Sequence, residues 1–502
     1  ITQLLAKFSQ YANITMVAVS DKASADMVFY LDDLTSVNMS SDTVGYAYPG
    51  GDVHLSSNYY SASDAFSQLD GATTVLHEVM HSIGFEHPFE LGDNNSVVLN
   101  TLEDQNSYTL MSYTATDTVG LHDLRVFDLA ALQYNYGVNA SERSGNDVYT
   151  FAKFNAGSAD GSVYVWDGAG VDTFDASTAG AGVTVDLTPG SWNYIGEKSQ
   201  YLISDGTQTV SYQSLFNLSA TDKVVDGWDD TTNTAIYSTT TEQAVYNSGQ
   251  SFIGYHTQLE NLVGSAYNDH LTGNAADNLI EGGAGNDTIN GGLGNDSLDG
   301  GSGNDYLAGG TGHDAYYVDS AQDTVVEQAN EGTDTVYSSV DFTLGSYVEN
   351  LTLLGNTVIN GSGNDLANVL TGNTAANILN GGAGNDTLIG GLGSDTLTGG
   401  SGQDHFVFNT ALNGDVDTIT DFSTGSDHLV LSSTIFGQLD LSNSSLLVFG
   451  QDQDQATSRF VYDSSNQTLA YDADGSGSAA SVVFAHLSLD AAATAANIFV
   501  VA

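Results

Sequence analysis

The sequence has 502 residues, enough for two or more domains, and sets 8 Lys plus Arg against 62 Asp plus Glu for a formal net charge of −54. This charge opposes binding to nucleic acid and to anionic membranes, and it makes cations the expected partners. The absence of cysteine excludes disulfides and cysteine-ligated metal sites. No apolar run reaches the roughly 18 residues of a membrane helix, so we expect no membrane insertion.

Apolar periodicity predicts a helix at the start of the chain, followed by strands at 14–19, 27–31 and 44–57. The next segment is TTVLHEVMHSIGFEHP, 73–88, in which His77 and His81 are four residues apart. On a helix they share one face and can bind one metal ion, with Glu78 placed to act on a water at that metal. Gly84 lets the chain turn back, so that His87 can supply a third imidazole. Three histidines with an open fourth position are typical of catalytic zinc.

A bare HExxH motif also occurs by chance on amphipathic helices, but the added glycine, the third histidine and the following SYTLMSY segment make chance a poor explanation. These motifs resemble those of the metzincin metalloproteases. The residue after the third histidine, Pro88, resembles the one found at this position in the serralysin subfamily. The resemblance implies the following roles: His77, His81 and His87 bind zinc, Glu78 is the general base, Met111 lies under the zinc, and Tyr113 is a further zinc ligand that stabilises the oxyanion. A tyrosine that only packs is the alternative for Tyr113.

Beyond Gly137 the composition shifts to Gly, Asp, Asn, Ser and Thr. WDGAGVDTFD, 166–175, contains a single Gly-x-Gly-x-Asp turn that ends at Asp172. The Ser/Thr-rich stretch 199–255 carries no motif to which a function can be assigned.

Two blocks of nonapeptides follow, four repeats beginning at Gly282 with GGAGNDTIN and three beginning at Gly381 with GGAGNDTLI. The pattern resembles the calcium-binding repeats of the repeats-in-toxin (RTX) proteins, which form a parallel β-roll. Apolar residues recur every nine positions and are expected to point into a narrow core: Leu271, Ile280, Ile289, Leu298, Leu307 and Tyr316, then Leu370, Leu379, Leu388, Leu397 and Phe406.

The resemblance implies that loops eighteen residues apart stack, so that Asp287 faces Asp305, Asp296 faces Asp314 and Asp386 faces Asp404. An all-oxygen ligand set at flexible spacing suits calcium better than zinc or magnesium. We expect this calcium to be structural and to trigger folding. The expected calcium residues are Asp172, Asp269, Asp287, Asp296, Asp305, Asp314, Asp386, Asp395 and Asp404.

The last segment alternates apolar and polar residues, which predicts strands that close the roll. YDADGSG, 471–477, fits either a calcium loop or a plain turn. The apolar terminus NIFVVA partly matches the export signal of relatives secreted by a type I apparatus, which implies that apparatus as a partner.

The predicted fold class is an α+β zincin (metzincin) catalytic domain followed by an all-β C-terminal domain with parallel β-roll calcium repeats. The expected domains are an N-terminally trimmed catalytic domain at 1–140, a β-rich connecting segment with an insertion at 141–260, the roll in two blocks at 261–410, and a C-terminal β segment with the secretion signal at 411–502.

The expected function is that of a secreted, extracellular, monomeric endopeptidase for protein or peptide substrates, with one catalytic zinc and several structural calcium ions. A calcium-binding adhesin or matrix protein with an inactive zincin domain is the alternative, although Glu78 and the three histidines are all present. A pore-forming toxin needs a long apolar segment, which the sequence lacks.

Overall fold

The computed structural model of the chain describes residues 8–10, 12–14, 27, 29–32, 45–47, 52–56, 69–83, 126–151, 164–196, 200–204, 209–213, 225–229, 234–237, 241–245, 250–442, 446–450, 459–473, 480–489 and 494–501. Two compact units comprise residues 1–259 and 260–502. The finer division into four segments stays a prediction.

The helices are α1 at Leu69–Ser82, α2 at Val126–Tyr136, α3 at Ser433–Phe436 and α4 at Ala495–Ile498. Within the described residues, no helix combines the length and the apolar character that a membrane crossing needs.

The first unit contains mostly short strands. They are β1 Phe29–Asp32, β2 Gly45–Tyr46, β3 Val53–Ser56, β4 Val148–Tyr149, β5 Tyr164–Val165, β6 Thr173–Asp175, β7 Val183–Asp186, β8 Trp192–Ile195, β9 Gln200–Ser204, β10 Thr209–Gln213, β11 Val225–Asp229, β12 Thr234–Tyr237, β13 Thr241–Val245 and β14 Gln250–Ile253.

In the N-terminal part of this unit, β3 lies between β1, which is parallel to it, and β2, which is antiparallel. Helix α1 packs against β2 and β3. Its apolar residues Val75, Leu76, Val79 and Met80 are buried, which fixes the face that the helix turns inward. Farther along, β4 and β6 pair in parallel, and β14 lies between β5 and β8. Strand β9 pairs antiparallel with β10 and β13, and β11 pairs antiparallel with β12.

The second unit is a parallel β-roll. Its strands are β15 Asn261–Val263, β16 His270–Thr272, β17 Leu279–Glu281, β18 Thr288–Leu293, β19 Ser297–Asp299, β20 Tyr306–Thr311, β21 Ala315–Val318, β22 Thr324–Val326, β23 Thr335–Ser338, β24 Phe342–Thr343, β25 Asn350–Leu353, β26 Gly361–Ser362, β27 Val369–Thr371, β28 Ile378–Ala383, β29 Thr387–Ile389, β30 Thr396–Ser401, β31 His405–Phe408, β32 Asp417–Ile419, β33 His428–Leu431, β34 Leu447–Phe449, β35 Phe460–Asp463, β36 Thr468–Tyr471, β37 Val482–His486 and β38 Phe499–Val501.

Successive strands of the roll alternate between two faces. One face runs in the order β15, β17, β19, β21, β23, β25, β27, β29, β31, β33 and β38, with every described pair parallel. The opposite face has β16, β18, β20 and β22 beside the first repeat block, and β24, β26, β28, β30 and β32 beside the second. Beyond β32 this second stretch continues through β37, β36, β35 and β34, where antiparallel pairing at β36 ends the regular pattern.

The core is a set of apolar rows that run along the roll. Leu271, Ile289 and Leu307 are direct partners in the parallel register of one face and are almost fully buried. The other face repeats this with Ile280, Leu298 and Tyr316. Residues that recur every nine positions therefore fall into the same place on alternate faces, because one coil comprises two nonapeptides. The predicted β-roll and its core positions are confirmed.

Glycine in the turns is required by the distance between coils. Gly303 has φ of +153°, and a Cβ placed on it would lie 1.5 Å from the carbonyl oxygen of Gly285 in the preceding coil. Only a residue without a side chain permits this approach.

Candidate metal centres

Helix α1 brings two of the predicted zinc ligands together. His77 is buried, His81 is half-buried, and their ring centroids lie 4.8 Å apart with the rings nearly perpendicular. This follows from the spacing of four residues, which is close to one turn of the helix. Two imidazoles on one helix face can supply two ligands to one zinc ion. The role of His77 and His81 as zinc ligands stays a prediction.

Glu78 lies between them in sequence and is 5% exposed. Its Oε2 atom is buried and has no hydrogen-bond partner. Burial raises the pKa of Glu78 to about 8, although a hydrogen bond from the backbone of Ala47, next to β2, acts in the opposite direction. A buried carboxylate with a spare oxygen is stabilised by a nearby cation or proton.

His87, Met111 and Tyr113 lie outside the described residues. Their predicted roles as third ligand, floor of the site and further ligand stay predictions, as does the catalytic role of Glu78.

The second centre is repeated along the β-roll. The aspartate at the sixth position of each nonapeptide donates its backbone N–H to a carboxylate of the next coil. Asp287 N donates to Asp305 Oδ1 at 2.8 Å, and Asp296 N donates to Asp314 Oδ1 at 2.8 Å, each eighteen residues apart. In the second block, Asp386 N donates to Asp404 Oδ1 at 3.0 Å. We call each such row of aspartates, linked from coil to coil by these hydrogen bonds, an aspartate ladder. One carboxylate oxygen of each linked aspartate accepts a backbone hydrogen bond.

The other oxygen of most ladder carboxylates is buried and has no partner. This holds for the Oδ2 atoms of Asp287, Asp296, Asp305, Asp314, Asp334, Asp386 and Asp395. No Lys or Arg occurs in the sequence between Lys223 and Arg459, so no such side chain from this stretch can neutralise them. Unpaired buried carboxylates are costly, and a row of them marks the path of bound cations.

Burial also raises the pKa of these groups. The pKa of Asp287 and of Asp296 rises to about 7, and that of Asp305 and of Asp386 to about 6, with neighbouring carboxylates adding to the shift. Without a cation, the ionised ladder opposes folding at neutral pH.

A third cluster lies in the first unit, where Asp147, Asp167 and Asp172 offer ligand atoms within 4.8 Å of one another. Asp147 N donates to Asp172 Oδ1 at 2.7 Å, and the Tyr149 hydroxyl donates to Asp167 Oδ2. Asp167 Oδ1 is buried with no partner, and burial raises the pKa of Asp167 to about 7. The arrangement surrounds the predicted calcium residue Asp172 with two further carboxylates.

Comparison with known proteins finds similar repeats and similar proteins. The family model of the RTX calcium-binding nonapeptide repeat (4 copies) matches residues 260–289, 281–316, 290–325 and 371–406. A serralysin from Proteus mirabilis is 33% identical over 162 residues, which cover 28% of this chain and 33% of the relative. Serralysin G from Dickeya chrysanthemi is 30% identical over 218 residues, or 38% of this chain and 46% of the relative. Over the matched stretches, the chain is similar to serralysins, and it contains RTX-type calcium-binding repeats.

A metalloprotease, AprA, from Pseudomonas entomophila is also similar, with 30% identity over 149 residues that cover 25% of this chain and 31% of the relative. The matched stretches span about a third to just under half of these curated relatives. The matched repeats are calcium-binding repeats, and the prediction that the β-roll binds calcium is confirmed.

Sequence reasoning missed Asp147 and Asp167. Both stand near the Gly-x-Gly-x-Asp turn that contains Asp172, and Asp147 closes the run SERSGND, whose Gly145 carbonyl oxygen would lie 2.0 Å from a Cβ on Gly170. A search for a second Gly- and Asp-containing turn upstream of Asp172 would have found Asp147.

Proposed function

We propose that the chain is a secreted, zinc-dependent endopeptidase of serralysin type whose β-roll is held together by calcium. The observation that carries this proposal is the pair of histidines on one face of α1 with the buried, unsatisfied Glu78 between them. The relatives named serralysin and metalloprotease support the same activity.

His77 and His81 are the described residues that fit a zinc ion, and His87 and Tyr113 complete the proposed ligand set. The donors are imidazoles with a neighbouring carboxylate, which is chemistry that zinc accepts and calcium does not. Zinc bound by these residues would supply a Lewis acid that polarises the scissile carbonyl and lowers the pKa of a water molecule.

Glu78 moves the proton in this mechanism. Its unpartnered Oε2 accepts a proton from the attacking water and then delivers it to the leaving amine. Burial, partly offset by the hydrogen bond from Ala47, raises its pKa to about 8, and a dication beside it would lower that pKa, so that the carboxylate form would be available at neutral pH. Burial also keeps competing solvent donors away from the accepting oxygen. Tyr113 is proposed to donate a hydrogen bond to the oxyanion.

Strand β2 is the proposed docking edge for substrate. Among the described strands of its sheet, β3 is paired on both sides, whereas β2 has β3 on one side only. An extended peptide that adds to β2 would be read mainly through its backbone and would lie close to Ala47, which hydrogen-bonds Glu78.

The test is hydrolysis of casein by the full chain in millimolar calcium, with Glu78→Gln as the variant and Glu281→Gln, an exposed glutamate on β17, as the matched control. We expect Glu78→Gln to lower kcat/KM at least about 100-fold while zinc content measured by mass spectrometry stays at one per chain. A chelator selective for zinc should abolish cleavage by the unaltered chain. Cleavage by Glu78→Gln at the unaltered rate would refute the assignment.

The alternative is a calcium-binding adhesin or matrix protein with an inactive zincin domain. It would be favoured if the chain, folded in calcium and loaded with zinc, cleaved no peptide bond. Export through a type I apparatus and a monomeric state belong to the proposal, and sedimentation in calcium measures the latter.

A further inference from the structure

The first aspartate ladder ends in a turn that departs from the repeat. The regular loop GGTGHD occupies 309–314, whereas the corresponding turn in the next coil reads EQANEGTD, 327–334. The ladder hydrogen bond from Asp314 N to Asp334 Oδ1, 2.9 Å long, accordingly spans twenty residues instead of eighteen. The family model of the repeat reaches only residue 325 here, so this turn lies outside the repeat pattern.

Three carboxylates converge at this end of the ladder. Asp314, Glu327 and Asp334 offer ligand atoms within 4.8 Å of one another. Their side chains are 2%, 6% and 1% exposed, respectively. Each has one buried oxygen with no hydrogen-bond partner, namely Asp314 Oδ2, Glu327 Oε2 and Asp334 Oδ2.

Hydrogen bonds to the other oxygens hold the group in place. The Tyr316 hydroxyl donates to Glu327 Oε1 and accepts a 2.7 Å hydrogen bond from Gly309 N. Asp314 Oδ1 accepts from Asp296 N at 2.8 Å. The hydroxyl and backbone donors thus orient the carboxylates and leave the three remaining oxygens unsatisfied.

The charges around the cluster do not neutralise it. His313 is the one basic group that acts on Asp314 and Asp334, and its exposed ring accepts a 3.0 Å hydrogen bond from Thr333 N at Nδ1. Glu331 and Glu349 add further negative charge, and Glu349 Oε2 accepts from Asp334 N at 2.9 Å.

We propose that Asp314, Glu327 and Asp334 form a calcium site that ends the first repeat block. The all-oxygen, three-carboxylate donor set suits a hard divalent cation, and the mixture of side chains from two coils suits the flexible coordination of calcium better than the octahedron of magnesium. In the regular repeat, glycines occupy this part of the turn, whereas here the side chain of Glu327 supplies an oxygen. Calcium here joins the irregular turn 327–334 to the last regular loop, and the proposal is independent of the protease activity.

The test is hydrogen exchange of the full chain, followed by mass spectrometry at increasing calcium concentration. We compare a peptide covering 315–338 with one covering 381–406 in the second block. Glu327→Gln keeps the shape and the acceptor for Tyr316 and removes the charge. Glu331→Gln is the matched control, because that carboxylate lies in the same turn, where it accepts from Gln328 N and is not one of the three clustered carboxylates.

In Glu327→Gln, the calcium concentration that half-protects 315–338 should rise at least tenfold, while the value for 381–406 stays unchanged. An unshifted 315–338 peptide in Glu327→Gln, or an equal shift in Glu331→Gln, would overturn the proposal. A crystal structure of the unaltered chain grown in millimolar calcium decides the same question if the variant fails to fold. A calcium peak about 2.4 Å from the three oxygens supports the site, and filled repeats with no peak here contradict it.

Discussion

Replacement of one ladder aspartate by asparagine should have opposite effects with and without calcium. Asp296 is the best position because Asn278 N donates to its Oδ1 at 2.7 Å, its Oδ2 is buried without a partner, and burial raises its pKa to about 7. Asn278 itself occupies the equivalent place one coil earlier, where its amide donates to Glu260 O at 3.0 Å. The ladder therefore already accommodates an asparagine.

The expected magnitude follows from ligand linkage. A calcium site with a dissociation constant of about 10⁻⁴ to 10⁻³ M contributes about 1.4 to 2.7 kcal/mol at 10 mM calcium. Asp296→Asn removes a charged ligand, so in calcium it should lose about 1 to 3 kcal/mol of unfolding free energy. In a chelator at pH 8 the same change removes a buried, unpaired charge and should gain about 1 kcal/mol or more.

The assay is circular dichroism of the full chain, read as urea unfolding in 10 mM calcium and as the amount of β structure in a chelator. Asp277→Asn is the control, since Asp277 is exposed and immediately precedes Asn278. We expect the control to change stability by less than about 0.5 kcal/mol in either condition. A loss of stability of equal size with and without calcium would refute the reasoning, because it would show that the carboxylate of Asp296 stabilises the fold without binding calcium.

Three further outcomes follow from the β-roll. Burial raises the pKa of Asp287 to about 7 and of Asp386 to about 6, above the ordinary value of 3.8. Protonation of these groups therefore favours the folded state. This contribution to stability is fully present below about pH 3.8 and is lost as the pH rises through the pKa values of the folded state. Circular dichroism without calcium should accordingly show more β structure at pH 5 than at pH 8, and a flat response would contradict this. Ile289→Ala empties a fully buried position and should cost about 2 to 5 kcal/mol in calcium, measured by urea unfolding against the exposed Ile378→Ala. Gly303→Ala places a methyl group against the Gly285 carbonyl and should raise the calcium concentration needed for folding, whereas an unchanged midpoint would show that the coils can separate there.

The sequence alone predicted the β-roll, its core and the facing aspartates. The nonapeptide repeat gives each position the same surroundings as the position eighteen residues later, so residue type and spacing together decide which side chains pack and which converge. Ile289 and Leu307 are partners in the structure for this reason. The same holds for His77 and His81, because a spacing of four on a helix already brings the two rings together.

Only the tertiary structure identified Asp147, Asp167 and Glu327 as members of carboxylate clusters. These residues stand outside any repeat, and their partners are brought close by turns of irregular length, as in the hydrogen bond from Asp147 N to Asp172 that spans twenty-five residues. The buried, unsatisfied oxygens of Glu78 and of the ladder are also a tertiary property. Sequence spacing predicts which carboxylates converge, whereas burial and the lack of a hydrogen-bond donor, which make a cation necessary, arise only when the surrounding coils and helices pack.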